Sequence, residues 1–450
     1  MDVPFAADVL DVDLLQSAVP ESDRQIAVAA LVSGKVCLID YSDLHRSGSS
    51  GTKVGERNHV EDSGRPGHDA AAAGKRKRSV NRSDERNTSR LYSKAWTVKS
   101  GSKSCRAARF SVDGTSVFAI AKDMSISRID VQTGSVLQEW KKAHDAAPSC
   151  ILPISSTMFA TGDDDGVVKM WDARVPTSSL HSGIGNAGSR SSVHSWSHHS
   201  DWVTDMMWRS HLRAPMKLRK DSKHKAPPQD EEIPSESRSR LICVGGDGIL
   251  SVIDPRAGKK GVECSADQED ELLSVRAIKG GDKIVVGTSL GPLSIWAPSK
   301  GLLDHVDRLA GHPASVDSLD VLDEDTVLTG SSDGLVRVVQ IYPHKLLGVA
   351  ADHEGFPVER ALHAGDWLAS IGHENFIRFT SLKDLLDGSE DEGTDEDAEV
   401  QGSGDAASSS GASDDSDAEV SKSAKKEARV TATLKQASMP EASSNFFDDL

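Results

Sequence analysis

The sequence predicts an all-β fold, a closed ring of seven four-stranded blades, and three observations predict it. One pattern recurs along the chain: a short apolar run, a small residue, a tight turn and an alternating apolar run. It reads LVSGKVCLID at 31–40, IAKDMSISRID at 120–130, TGDDDGVVKMWD at 161–172 and VGGDGILSVID at 244–254, then TSLGPLSIW at 288–296, GSSDGLVRVV at 330–339 and GHENFIRF at 372–379. The equivalent turn position falls at 33, 123, 165, 247, 290, 333 and 374, so four of the six spacings are 41–43 residues. The two long spacings each contain a stretch that cannot bury a core. Residues 45–90 are rich in Ser, Gly, Arg and His, and residues 209–239 include RKDSKHKAPPQDEEIPSESRSR. Both are expected to be disordered insertions. Without them, and without the tail from 384, about 44 residues remain per unit, the period of a four-stranded propeller blade.

Each element has a local reason. The turns Asp165-Gly166, Asp247-Gly248 and Asp333-Gly334 supply the left-handed backbone that a tight hairpin needs. Alternation such as Val167-Lys169-Trp171 gives a strand one face to pack on a neighbouring blade. A single blade cannot bury both faces, so stability requires the ring. The propeller is read as residues 1–383. Blade one is read as starting with its innermost strand near Phe5, which leaves the outer strand of blade seven to residues 381–387 or unsupplied.

Blade three, with His144, Thr161, Asp165 and Trp171-Asp172, resembles the WD repeat. The resemblance implies a structural tetrad in which His144, Thr161, Asp165 and Trp171 form a hydrogen-bonded chain. Blade six keeps His312, Thr329 and Asp333 but has Val339 at the Trp position. Ile39-Asp40, Ile129-Asp130 and Ile253-Asp254 stand there in blades one, two and four, and Trp296-Ala297 in blade five. Most tetrads are therefore read as incomplete. A narrower resemblance rests on CRAARFSVDG (105–114), FATGDDDGVVKMWDAR (159–174), DWVTDMMW (201–208) and VLTGSSDGLVRVVQIYPHKLLGVAADH (327–353). These segments, with the Phe-Phe ending, resemble the WD repeat-containing protein 55 family and its fungal counterparts. That resemblance implies a nucleolar protein concerned with ribosomal RNA production and large-subunit assembly.

Composition excludes several classes. The chain of 450 residues carries a net charge of −17, against the basic character of a nucleic-acid coat. Thirteen carboxylates and no Lys or Arg lie between Asp387 and Glu419, so the body is close to neutral. The N-terminus has acids where a secretory signal needs a basic region. The longest apolar stretch, 26–32, is strand length. Cysteines 37, 105, 150, 243 and 264 contain no CxxC pair, which suits a reduced intracellular compartment, and the sequon at Asn87 then has no secretory context.

Catalytic patterns fail on context. Gly287-Thr288-Ser289-Leu290-Gly291 matches GxSxG, but a nucleophile elbow needs a strand-to-helix turn and this one joins two strands. Gly183 to Gly188 matches GxGxxG outside any βαβ unit. His194, His198 and His199 lack metal-ligating partners and are read as a solvated connector. Asp163, Asp164 and Asp165 are read as turn and surface acids. No enzyme activity, metal or cofactor is expected.

Recognition features are richer. Lys75, Arg76, Lys77 and Arg78 suit a nuclear-import receptor or a phosphate backbone, the plainer alternative being a solubilising cluster. Lys217, Arg219, Lys220, Lys223 and Lys225 form a second cluster. Neither has interleaved aromatics, so any RNA contact would be weak and electrostatic. In the tail, Ser389, Thr394 and Ser416 each precede an acid by three residues, as acidophilic kinase sites do. Phe446 and Phe447 read as a docking motif. Trp171-Asp172-Ala173-Arg174 fits the WDxR box by which some WD proteins attach to the adaptor of cullin-4 ubiquitin ligases, and Ile253-Asp254-Pro255-Arg256 is a partial second copy. Asp172, Arg174, Asp254 and Arg256 are thus candidate adaptor contacts. The expected partners are proteins: ribosome-assembly factors or pre-ribosomal particles, with the cullin-4 adaptor as the rival.

Overall fold

The second strand of each unit decides the architecture, because its side chains are buried on both faces. In Ile26–Leu31 every residue is buried. Ile26, Val28 and Ala30 enter one hydrophobic core, while Ala27, Ala29 and Leu31 enter another. Ser116–Ala121 repeats this, with Val117 and Ala119 on one side and Phe118 and Ile120 on the other. A strand covered on both faces reads as a continuous apolar run, and such a strand belongs between two packed blades.

The computed structural model describes residues 1–15, 25–44, 91–175, 192–210, 212 and 239–383. It is a seven-bladed β-propeller, and each blade is a four-stranded antiparallel sheet. Blades one to six span 9–99, 105–140, 148–197, 203–264, 272–309 and 316–352 in chain order. Seven hydrophobic cores lie one at each blade-to-blade contact. The expected Asp-Gly turns are present. Gly166 has φ +76°, and a Cβ there would lie 2.5 Å from the His199 carbonyl oxygen. The turn of blade three therefore sits directly under the connector leading into blade four.

The ring closes differently from the sequence expectation. Asp2–Pro4 pairs antiparallel with Phe376–Ser381 and supplies the outermost strand of blade seven. The Met1 ammonium donates to the Phe379 carbonyl at 2.6 Å, and the Phe379 amide donates back to Met1 at 2.8 Å. Arg378 adds a two-point pair to Asp2, at 2.9 and 3.1 Å. Val3 is fully buried beside Ile377 and Phe379. Pro4 is tolerated because an edge strand needs no amide donor there. The innermost strand of blade one is Val9–Leu14, past Phe5. Of the segment 381–387, Ser381 ends the strand Phe376–Ser381, Leu382 is buried in the core between blades six and seven, and 384–387 lie outside the described residues.

The innermost strands are also stitched across blades. Asp11 accepts the Ala108 amide at 3.1 Å, Asp13 the Phe110 amide at 2.8 Å, and Asp205 the Val275 amide at 3.1 Å. Asp320 accepts the His363 amide at 2.8 Å, and Ser318 Oγ the Ala361 amide at 2.9 Å. Arg109 pairs with Asp11, and Arg276 with Asp205. These side chains satisfy backbone donors that a strand at the ring's centre would otherwise leave unpaired.

Residues 45–90 and 384–450 lie outside the described residues, as do 211 and 213–238. Arg209 ends the strand Val203–Arg209 and Leu212 is buried in the core of blades four and five, so blade four runs past residue 209. Deleting residues 1–7 removes the closing strand and withdraws Val3 and Phe5 from the core. Two such losses together cost about 4–8 kcal/mol, so the thermal unfolding midpoint is expected to fall by roughly 10 °C or more. An unchanged midpoint would show that the closing strand is dispensable.

Candidate interaction surfaces

The blade-three tetrad is built around a neutral histidine. His144 is buried, and its pKa is lowered by that burial against the pull of Asp163. Its Nδ1 lies 2.7 Å from Asp163 Oδ2, and its Nε2 2.6 Å from Thr161 Oγ1. Trp171 Nε1–H donates to the same Thr161 oxygen at 2.8 Å. An imidazole protonated on Nδ1 satisfies the whole chain: it donates to Asp163 and accepts from the Thr161 hydroxyl.

The carboxylate is Asp163, not the expected Asp165. Asp165 is exposed on the turn, and its amide donates to Asp163 Oδ1 at 3.1 Å, as does the Val167 amide at 2.8 Å. Strand geometry explains the difference. Residue 163 is two after Thr161 and so points to the same face, whereas 165 lies beyond the strand end.

Three other blades reach a similar clamp by different routes. In blade six, Ser331 takes the register of Asp163, so His312 binds only Thr329 Oγ1, at 2.9 Å, and its Nδ1 is buried without a hydrogen bond. Asp333 turns instead to Arg337, at 3.0 and 2.5 Å. In blade four, Gly245 takes that register, and His199 binds Asp247 at 3.0 Å and Ser251 Oγ at 2.9 Å. A Cβ on Gly245 would sit 2.8 Å from Asp247 Oδ1, so the missing side chain admits the turn carboxylate. In blade seven, His353 binds Glu374 and Ser370, both at 2.8 Å. The expectation of a solvated histidine connector at 198–199 is therefore corrected: His199 is buried in this clamp, and His198 binds Ser251 Oγ at 2.8 Å. His353 and His199 were not legible as clamp residues because their partners moved to neighbouring register positions.

The GxSxG segment is a strand-to-strand turn between Lys283–Thr288 and Leu293–Trp296. Ser289 Oγ–H donates to Asp270 at 2.7 Å, so it is a turn hydroxyl. Among the described residues no three His, Cys, Asp or Glu side chains are grouped to hold a metal ion.

On the opposite face, where the third strands end, each WDxR-type box carries an exposed arginine, while Trp171 and Ile253 themselves are buried. Arg174 Nε lies 3.0 Å from Asp172 Oδ1 and its Nη2 2.7 Å from Oδ2, while 71% of its side chain remains in solvent. The hydrogen bonds from Arg174 hold the Asp172 carboxyl below its ordinary pKa. Arg256 meets Asp254 at 3.0 Å through both Nε and Nη2, and Arg240 approaches Asp254 at 3.3 Å. The two boxes occupy equivalent places on neighbouring blades, each presenting a guanidinium oriented by its own aspartate. Lys75, Arg76, Lys77, Arg78, Ser389, Thr394, Ser416, Phe446 and Phe447 lie outside the described residues, as do 183–188 and 217–225.

Asp163→Asn leaves His144 and two amides facing a side chain that accepts through one oxygen only, and is expected to cost about 2–4 kcal/mol of stability. Asp165→Asn is expected to stay within about 0.5 kcal/mol; denaturant unfolding of the pair checks the assignment, and equal losses would refute it. Burial, helped by the Arg337 charge, pushes His312 down to about 4. Its folded pKa lies below the ordinary 6.5, so between those values the unfolded chain binds more protons. The stability it contributes is full above that window and is lost as pH falls through it. Burial pushes Asp317 up to about 6, which works the opposite way, so a variant is needed to isolate the imidazole. His312→Gln is expected to remove about one proton of uptake on unfolding near pH 5, read as a shallower dependence of unfolding free energy on pH. An unchanged slope would contradict the neutral buried state.

No family model matches the chain. It is similar to WD repeat-containing protein JIP5 of Malassezia globosa, 45% identical over 387 residues that cover 86% of this chain and 82% of the relative. The JIP5 protein of Mycosarcoma maydis is 43% identical over 427 residues, again covering 86% and 82%. WD repeat-containing protein 55 of Arabidopsis thaliana is 32% identical over 297 residues, covering 65% of this chain and 71% of the relative. Together with the seven-bladed ring, these relatives show that the chain belongs to the WD-repeat family of JIP5 and WD repeat-containing protein 55.

Proposed function

We propose that this protein is a non-catalytic nuclear, chiefly nucleolar, scaffold that assists ribosome biogenesis through protein–protein binding, in ribosomal RNA production or large-subunit assembly. The observation that carries the reading is the membership of a WD-repeat family joined to a closed propeller, an architecture that holds binding loops in fixed geometry. The nucleolar role follows from what the family resemblance implies. It is supported by the basic run at Lys75 to Arg78, suited to import, and by an acidic tail suited to work among basic proteins.

A second reading has its own observation. The exposed guanidiniums of Arg174 and Arg256 stand at equivalent places on neighbouring blades, each aimed by an aspartate. This is the presentation that a cullin-4 adaptor would need for charge-assisted hydrogen bonds.

Mass spectrometry of material co-purifying with tagged full-length protein, at two salt concentrations, separates the two. Large-subunit assembly factors are expected in the bound fraction, and their loss at high salt would implicate the charged segments. The cullin adaptor without ribosomal factors would overturn the scaffold reading. If the adaptor does bind, Arg174→Ala with Arg256→Ala is expected to abolish that association; retained binding would count against the WDxR mechanism.

A further inference from the structure

Five lysines form a strip over blades one and two, on the face that carries the tetrad turns. Lys35 opens the strand Lys35–Asp40, and Lys99 closes the strand Ser93–Lys99. Lys103 stands in the connector from blade one to blade two, Lys122 in the blade-two hairpin turn and Lys142 in the connector from blade two to blade three. All five are exposed. Backbone contacts join their places. A Cβ on Gly34 would run into the Lys103 carbonyl oxygen. The Lys122 amide donates to the Ser104 carbonyl at 2.9 Å, and the Ala143 amide to the Met124 carbonyl at 2.8 Å. The rigid ring therefore fixes where these charges start from.

The charge of the strip is uncompensated. Among the described residues no hydrogen bond or ion pair engages any of the five ammonium groups. Asp123 lies in the middle of the strip and is already consumed. Its Oδ2 accepts the Ser102 amide at 2.5 Å and the Ser102 hydroxyl at 2.6 Å, and its Oδ1 the Ser125 amide at 3.2 Å and hydroxyl at 2.5 Å. Glu139 is taken by Lys141 at 3.5 Å. Asp8, whose carbonyl accepts the Val32 amide, and Asp145 border the strip at its two ends. A second observation is energetic. Lys35 and Lys99 are direct partners in register, and like charges directly opposite on a sheet are destabilising. A lysine on an edge strand discourages unwanted pairing, and Lys99 alone supplies that guard. Lys35, on the strand inside it, adds only repulsion. An anion shared by the two would turn that repulsion into attraction.

We propose that this strip holds the phosphate backbone of a nucleic-acid duplex without reading its sequence. Lysine offers phosphate a compact point charge. A protein surface fits less well, because lysine is depleted at protein interfaces and segments 32–35, 99–104, 121–125 and 141–145 contain no Phe, Tyr or Trp to anchor one. The same lack of aromatics gives unpaired bases nothing to stack on, which favours paired strands. Across the ring, Asp247, Asp267, Glu269, Asp270 and Glu271 line a recess between blades four and five. Their charge repels phosphate and steers a polyanion toward blades one and two. The assignment adds a nucleic-acid contact to the protein-binding role proposed above, on which it does not depend.

Fluorescence anisotropy of labelled RNA and DNA duplexes of about 16 base pairs, titrated with the full-length protein at several salt concentrations, tests it. Dissociation constants of about 1–100 μM are expected near physiological salt. Lys35→Gln with Lys99→Gln, and separately Lys103→Gln with Lys122→Gln, are each expected to weaken binding about tenfold. Each pair is also expected to lower the slope of log affinity against log salt by about 1–2. Lys300→Gln with Lys345→Gln, the same charge change at exposed lysines elsewhere on the ring, stays within about twofold. Every variant keeps the acids of 387–419 and the basic runs at 75–78 and 217–225, so their contributions cancel in the comparison. The thermal midpoint of the Lys35 and Lys99 double variant is expected not to fall, which separates a lost contact from a lost fold. Tighter binding of the RNA duplex would assign an A-form backbone, and tighter binding of the DNA duplex a B-form one. Strip variants within about twofold of wild type, or no duplex binding by wild type, would overturn the proposal. So would lysine-dependent binding confined to an unpaired strand or to a poly-glutamate peptide.

Discussion

Everything in this molecule depends on the pairing of Asp2–Pro4 with Phe376–Ser381. A propeller blade has two apolar faces and can cover neither by itself. In a ring each blade finds two neighbours, and the seven cores that result are equivalent only if the last blade is complete. The closing strand brings together residues more than 370 positions apart. Opening there would expose Val3, Phe379 and Ile377 together. The cross-blade bonds of Asp11, Asp13, Asp205 and Asp320 then act within a fixed ring and hold the innermost strands in register.

The parts of the fold legible in the sequence are those with a period. The turn position recurs because the hairpin demands it, and the second strands read as apolar runs because two cores share them. The closure was not legible. Asp2, Val3 and Pro4 offer one apolar residue and a proline, with no alternation long enough to register as a strand. The tetrad carboxylate was misplaced by two residues because the turn Asp165 was the more conspicuous acid. The two-residue period of the strand from Thr161 would have pointed to Asp163. The clamp histidines of blades four and seven were hidden for a related reason. Gly245 and Gly372 leave room at the usual carboxylate position, so Asp247 and Glu374 reach in from the turn.

The two faces of the ring differ chemically, and this is how the scaffold acquires direction. One face carries the histidine clamps and a recess lined by Asp247, Asp267, Glu269, Asp270 and Glu271. The other presents Arg174 and Arg256, each held by a neighbouring aspartate. The arginines stand in the two boxes that were legible in the sequence, whereas the acids were not legible as a surface, because a hairpin turn and a connector bring them together. The rigidity of the sheets converts scattered residues into two charged surfaces, so little ordering entropy remains to be lost when a partner docks.

Native-state hydrogen exchange, followed by mass spectrometry in low denaturant, tests the closed ring most directly. If the N-terminal strand makes seven blades one cooperative unit, the protected amides of Phe376–Ser381 and Val9–Leu14 open with the same free energy as those of Val203–Arg209 across the ring. Exchange of blade seven at a distinctly lower free energy, with blade four still protected, would contradict closure as the constraint on which the fold depends.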